Sequence, residues 1–294
     1  MAKCSHHHCN HVYHASAFGV SGELLRPARH SIGTHAATSL PSTGGRGFNR
    51  TDNFKLDGIL SFSAAYTEVG GSFDECHDMH TSYASSVIED LNIADIIKAD
   101  KIVSRISVYS PIEGSDEEAS FDITGSHFEN LRICGHPVDV KLATHEFHQH
   151  DTYSKFEKAH QAKKVDHLFM LSGLKDLKAK QLQDLEAQYH ALHGVSERVT
   201  AWKNGKAKRP ATTGYRCTAV GHLDLKTHMG EYSETKGYGP IICVPKFGVI
   251  HLAEVIIHQE RRYLNMVRVE MCSAGDGTIH AGGGSGGGGG GIFP

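Results

Sequence analysis

Strict alternation of apolar and polar side chains is the feature of this sequence that most restricts its fold. In the stretch SVIEDLNIADIIKADKIVSRISVYSP, residues 87–93 and 102–106 alternate before the run ends at Pro111. A period of two places successive side chains on opposite faces of a strand, and it does not fit a helix. Residues 54–63 alternate in the same way around Gly58, which predicts a strand with a bulge or a bend. We therefore expect β structure over residues 12–140.

The pattern returns near the C-terminus and is absent from the middle of the chain. Residues 249–257 and 263–271 predict two strands, joined by a hairpin connection. Residues 152–193 instead predict two helices, with Asp151 as N-cap and a leucine stripe that forms a packing surface. The sequence predicts a mainly β protein, an antiparallel β-sandwich or barrel with a two-helix insertion at about 152–193.

Three segments describe the domain organisation. We expect a His/Cys-rich segment and first strand over residues 1–20, a β domain over 21–281, and a Gly-rich C-terminal tail over 282–294. Fixing a backbone costs about 1 to 2 kcal/mol per residue, and glycine has no side chain to bury in return. An ordered tail therefore needs backbone hydrogen bonds and the apolar pair Ile292-Phe293, which predicts docking onto a neighbouring subunit.

The charge balance argues against a nucleic-acid partner. The chain has 30 basic and 33 acidic residues and a net charge of -3, so it lacks the basic field that drives such binding. It also has 23 histidines. Histidine is the side chain whose ordinary pKa lies in the physiological range, so we expect mild acidification to change the surface charge strongly.

Cysteine usage and the start of the chain bear on location. Seven cysteines are an odd number at scattered positions, which favours reduced thiols. The stretch MAKCSHHHCNHVYH lacks the apolar run of a secretory signal, and no run approaches the roughly 20 apolar residues of a membrane span. We expect synthesis in the cytoplasm without a membrane span, and an extracellular or surface location by another route stays open.

Three groups of histidine and cysteine are candidate metal sites. They lie in KCSHHHCNHVYH, in CHDMH and in ATHEFHQHD, and imidazole and thiolate are the ligands that zinc and copper prefer. The alternatives are a solvated terminus for the first group and surface histidines for the others. The candidate ligands are Cys4, His6, His8, Cys9, His11, His14, Cys76, His77, His80, His145, His148 and His150.

No catalytic signature accompanies these groups. The sequence has no G-x-S-x-G motif, no P-loop and no recognisable cysteine-protease motif. The glycine-rich residues 44–47 lack the strand-to-helix setting of a phosphate cradle. No catalytic or cofactor-binding residue is assigned.

Several stretches together resemble an uncharacterised family of bacterial proteins. They include FGVSGELLRPARHSIGTHAATSLP, NFKLDGILSFSAAYTEVGGS, GSHFENLRICGHPVDVKL and VPKFGVIHLAEVIIHQERRYLNMVRVEM. The segments LNIADIIKAD, HFENLRICGHPVDV and FGVIHLAEV are also similar to β-rich surface proteins of the choice-of-anchor type. The first resemblance implies no activity, and the second implies a surface or matrix role.

Two hypotheses for function follow. The favoured one is a structural, self-assembling β-rich protein, a homo-oligomer or a filament or surface component, with metal-binding or pH-responsive sites. The alternative is a metal-dependent enzyme or small-molecule-binding protein, in which His145, His148 and His150 join residues 76–80 around one ion with an open coordination position.

Overall fold

Two antiparallel sheets face each other across one hydrophobic core. A computed structural model describes residues 11–25, 30–112, 115–204, 214–225, 234–271 and 277–289. The sheets contact directly, for example where the Ser86 hydroxyl donates a 2.8 Å hydrogen bond to the Phe18 carbonyl oxygen. The described strands do not close into a barrel. The prediction of a mainly β, antiparallel sandwich is confirmed.

Each sheet contains nine of the described strands. Sheet I comprises β1 (Val12–Leu24), β2 (His30–His35), β3 (Thr38–Ser39), β12 (Tyr215–Thr218), β14 (Lys236–Tyr238), β15 (Ile241–Val244), β16 (Gly248–Ile257), β17 (Arg261–Met271) and β18 (Gly277–Gly289). Its order is β14-β15-β16-β17-β18-β1-β2, with β12 beside β16 and β3 beside β1.

Sheet II is built mostly from the first half of the chain. It comprises β4 (Gly45–Leu56), β5 (Leu60–Asp74), β6 (Met79–Ile93), β7 (Ile97–Pro111), β8 (Ser120–Asp122), β9 (His127–Glu129), β10 (Arg132–Ile133), β11 (His136–Leu142) and β13 (Val220–Leu225). Its order is β13-β11-β10-β7-β6-β5-β4, with β8 and β9 beside β7. The long alternating stretch of the sequence forms the central hairpin of this sheet, β6 and β7.

The helical insertion is longer and more broken than the sequence predicts. It contains α1 (Thr144–Gln149), α2 (Tyr153–Gln161), α3 (Ala179–Gln188) and α4 (Val195–Lys203), where two helices were expected over 152–193. Thr152, and not Asp151, caps α2, because its side chain accepts a hydrogen bond from the Lys155 amide. The apolar residues of α3 and α4 pack on sheet I against Ile241, Cys243 and Val249. None of the described helices is long and apolar enough to cross a membrane.

The glycine-rich segment forms a strand in the middle of sheet I. Strand β18 pairs with β17 on one side and with β1 on the other, so backbone hydrogen bonds hold it within its own chain. Its inner face leaves little room for a larger side chain: a Cβ at Gly286 would lie 3.0 Å from Val108 of sheet II. The sequence predicted a tail over 282–294 that docks onto a neighbour. Its residues up to Gly289 instead belong to this internal strand, and residues 290–294 lie outside the described ranges.

A local kink in β16 decides which of its polar side chains share a face. Leu252 and Ala253 are consecutive and both belong to the core, and Ala253 has a positive φ of 47°. Alternation is therefore broken once, so His251 and Glu254 both lie on the outer face of sheet I, the face that the helices cover. This face carries the polar residues described next.

Candidate functional site

The predicted N-terminal metal cluster lies largely outside the described residues. Cys4, His6, His8 and Cys9 precede residue 11, where the description begins. His14 lies in β1, and burial followed by the charge of Arg261 lowers its pKa.

His11 meets a member of the second predicted cluster. The rings of His11 and His80 stack with centroids 3.8 Å apart and an interplanar angle of 1°. A 2.8 Å hydrogen bond joins the Tyr13 hydroxyl to His80 Nδ1, and His11 Nε2 is buried without a hydrogen-bond partner among the described residues. Burial and His80 lower the pKa of His11 to about 4, and burial lowers that of His80. Because the rings are parallel, their in-plane nitrogen lone pairs do not converge on one ion in this arrangement.

The remaining predicted ligands are spread over two exposed segments. Cys76 and His77 lie in the turn between β5 and β6, where His77 Nδ1 is 2.8 Å from Asp74 Oδ2. That hydrogen bond, followed by the Cys76 amide, lowers the pKa of Asp74. His145 and His148 are exposed on α1, and His150 is its half-buried C-cap. Within the described ranges, no three His, Cys, Asp or Glu side chains are arranged to hold a metal ion.

A larger polar group, which the sequence did not predict, lies on the outer face of sheet I. In β16 to β18, His251 is opposite Arg268, and Arg268 is opposite His280. One level away, Glu254 is opposite Asn265. We call this group and its charged neighbours the ionic cluster: Arg198, Arg216, His251, Glu254, Asn265, Arg268, Glu270 and His280.

Two arginines share one buried carboxylate at the centre of the ionic cluster. Glu254 is 5% exposed and accepts hydrogen bonds from Arg216 Nε and, at 2.9 Å, from Arg268 Nε. Arg268 also forms an ion pair with Glu270. Arg268 is 7% exposed, whereas the side chains of Arg216 and Glu270 are 47% and 27% exposed. The ionic cluster is therefore buried at its centre and open to solvent at one side.

The electrostatics keep the carboxylate charged and the histidines neutral. Burial raises the pKa of Glu254, but the charges of Arg268 and Arg216 outweigh burial and leave this pKa below its usual value. Burial, followed by the charge of Arg268, lowers the pKa of His251 far below its usual value and lowers that of His280. At neutral pH both imidazoles are uncharged. Arg216 and Arg268 then face Glu254 and Glu270, and Arg198 interacts with both Arg216 and Glu186.

Several buried polar atoms of the ionic cluster have no hydrogen-bond partner in the described part of the chain. They are Nδ1 and Nε2 of His251, Nη2 of Arg268 and Oδ1 of Asn265. The other end of the Asn265 amide is used, because its Nδ2 lies 2.6 Å from His280 Nδ1. His251 Nε2 lies 3.5 Å from Glu270 Oε1, beyond a good hydrogen bond. A buried polar atom without a partner costs about 1 to 3 kcal/mol, so these atoms favour the binding of a further polar group.

One cavity lies elsewhere on the same face. It has a volume of about 220 Å³ and is lined by Leu185, Gln188, Tyr189, Glu234, Lys236 and Cys243. Val249 is paired with Cys243 on one side and with Glu270 on the other, so one strand lies between this cavity residue and the ionic cluster. The cavity lacks the arginines and histidines of the ionic cluster, which therefore remains the better candidate site.

Comparison with known proteins identifies a family without assigning an activity. A family described as a domain of unknown function (DUF8256) matches residues 11–258, which end at the turn between β16 and β17. No curated protein and no solved structure matches the chain, so the similarity to choice-of-anchor surface proteins gains no support. The match covers most of the sandwich and the whole helical insertion, and the chain belongs to the DUF8256 family.

Proposed function

We propose that this protein binds a small molecule bearing an anionic group, a carboxylate or a phosphate, at the ionic cluster. The observation that carries the proposal is the set of buried atoms without partners around Arg268 and His251. These atoms offer an arginine N–H donor and, in neutral imidazole, one further donor. His251 and Arg268 both lie near Arg216, whose side chain is 47% exposed. A ligand can reach the two buried side chains from this exposed side.

The arginine donors of the site favour an anion over a cation. Glu254 is already bonded by Arg216 and Arg268, so it has little capacity left for an incoming cation. Arg216 is 47% exposed and can meet an anionic group, and guanidinium groups bind carboxylates and phosphates with two parallel hydrogen bonds. Asn265 Oδ1 accepts a hydrogen bond, which suits a ligand that also carries a hydroxyl or an amine.

Self-assembly as a structural protein, the function that the sequence favoured, has lost part of its motivation. It rested on a glycine-rich tail that docks onto a neighbour, and the strand partners of residues 277–289 lie within the chain. Homo-oligomer formation does not require a docking tail and stays a prediction. Small-molecule binding was the alternative expected from the sequence, at a different set of histidines.

Calorimetric titration of the purified protein tests the proposal. The probes are inorganic phosphate, acetate, succinate and citrate, each at constant ionic strength. We expect saturable binding of at least one probe, weakened about tenfold or more in the Arg216→Gln variant, because a charge-assisted hydrogen bond is worth about 1.5 to 3 kcal/mol. Arg216 is suitable because its side chain is 47% exposed and Arg268 still bonds Glu254 when Arg216 is replaced.

Arg132→Gln is the matched control, since Arg132 is exposed on sheet II. This variant should bind as tightly as the wild type. Failure of all four probes to bind would contradict the proposal, and so would equal affinity for wild type and Arg216→Gln.

A further inference from the structure

Strand β4 lies at one end of the strand order of sheet II, opposite the end formed by β13. Among the described strands it pairs only with β5, so its other edge has no strand partner. Arg46, Phe48, Arg50 and Asp52 alternate along its outer face. Phe48 is 65% exposed, and the described part of the chain has no large apolar side chain with a greater exposure. An exposed edge of this length is a template for a further strand.

The inner side of β4 is fixed in place. Asn49 Nδ2 donates a 2.6 Å hydrogen bond to the Ala37 carbonyl oxygen, and Thr51 Oγ1 accepts a 3.0 Å hydrogen bond from the Ala36 amide. These bonds tie β4 to the connection between β2 and β3 in sheet I. The edge is therefore held in an extended conformation before any partner arrives, which lowers the entropic cost of pairing.

The outward side chains of β4 are complementary to themselves. If a second copy runs antiparallel with Asn49 opposite Asn49, Arg46 of one copy faces Asp52 of the other, whose Oδ1 already accepts a 2.8 Å hydrogen bond from Arg50 Nε of its own chain. In the same register, Phe48 faces Arg50, a pair suited to a cation–π contact. A twofold axis repeats both pairs, so one interface contains two of each.

Neighbouring registers lack this match. Moving the centre to Arg50 would place Arg50 opposite Arg50 and Phe48 opposite Asp52. Centring on Phe48 would place Arg46 opposite Arg50, which are like charges. Centring on Thr51 would include Asn53, whose positive φ of 52° interrupts the strand. Charged residues usually discourage edge pairing, but the Asn49-centred register pairs opposite charges.

We propose that this protein forms a twofold dimer by pairing β4 with β4 of a second copy, over residues 46–52, in the register centred on Asn49. The dimer joins sheet II of both copies into one continuous sheet. It covers Phe48 with the aliphatic stem of Arg50, and it leaves the ionic cluster on sheet I accessible. The proposal does not depend on ligand binding.

Charge reversal with rescue tests the dimer. The masses of wild type, Arg46→Asp, Asp52→Arg and the double variant Arg46→Asp/Asp52→Arg are measured by sedimentation equilibrium over a concentration series. We expect a wild-type dimer, a dissociation constant raised about tenfold or more in each single variant, and recovery of the dimer in the double variant. Like charges meet in the single variants, and opposite charges meet again in the double variant.

Lys55→Glu is the matched control, because Lys55 is an exposed charge on β4 beyond the paired residues. It should leave the dissociation constant unchanged, and circular dichroism should show the same β content in every variant. A monomeric wild type would overturn the proposal. A wild-type dimer that survives both single reversals, or that the double variant fails to restore, would overturn it as well.

Discussion

The imidazole rings of His11 and His80 stack face to face, with centroids 3.8 Å apart, and so join the start of β1 to the start of β6. Protonation of both rings would bring two positive charges into contact. The stack is therefore weakened when both rings are protonated, and it connects the two sheets in a way that depends on pH.

Replacing His11 should reduce the acid sensitivity of the fold. The folded-state pKa of His11 is about 4, below its ordinary 6.5, so the unfolded chain binds more protons between these values. Stability is complete above about pH 6.5 and is lost as the pH falls towards about 4. In His11→Gln, the loss of unfolding free energy across this window should shrink by on the order of 1 kcal/mol. Urea denaturation at both ends of the window measures the change.

His145→Gln is the control for this experiment, because the His145 side chain is 71% exposed. It should keep the wild-type pH dependence. If His11→Gln loses as much stability on acidification as the wild type does, the stacked pair is not the acid-sensitive element.

Metal binding at the N-terminal cluster remains a prediction, and elemental analysis can test it. If Cys4 and Cys9 are ligands, wild-type protein should hold stoichiometric zinc or copper, and Cys4→Ser/Cys9→Ser should lose it. Cys134→Ser is the control, since Cys134 lies outside the three predicted clusters and should not affect metal content. Unchanged metal content in the double variant would remove these cysteines from consideration.

Deleting residues 282–294 should unfold the protein. The deletion removes most of β18, which pairs with both β1 and β17, and so divides sheet I. A docking tail would instead have left the fold intact. Deleting only residues 290–294 keeps the described strand whole and should preserve the β spectrum and a cooperative thermal transition. If the protein without residues 282–294 is still folded and its thermal transition has the wild-type midpoint, β18 is dispensable for the fold.

The β architecture could be predicted because alternation survives wherever one face of a strand meets the core. It is clear in β6 and β7, and the hairpin of β16 and β17 was predicted for the same reason. The glycine-rich part of β18 carries no such pattern, and a Cβ at Gly283, Gly284 or Gly286 would lie only 2.1, 3.2 or 3.0 Å from a neighbouring side chain. Composition then suggested a linker, whereas hydrogen bonds from two flanking strands supply the order.

The candidate site was missed because its residues are scattered along the chain and looked ordinary one at a time. Histidine-rich runs drew attention to segments such as His145 and His148, which the structure leaves exposed. The useful signal was weaker: His251 and Glu254 interrupt the otherwise apolar strand β16, and Arg268 interrupts β17. A charged side chain inside a buried strand requires a partner, but sequence alone does not say which strand supplies it.

A size exchange between Gly286 and Val108 should test how closely the sheets approach. Gly286→Ala places a Cβ 3.0 Å from Val108 Cγ2, and Val108→Ala removes that methyl group but leaves a gap. Each single change should lower the unfolding free energy, by about 1 to 3 kcal/mol. The double variant should lose less than the sum, by about 0.5 kcal/mol or more, because the new methyl group occupies the space vacated by valine.

As control, Gly19→Ala meets Ala65 and not Val108, so its cost should add to that of Val108→Ala. Urea denaturation measures the unfolding free energies. Additive losses for Gly286→Ala and Val108→Ala would show that steric contact with Val108 does not explain why residue 286 is a glycine.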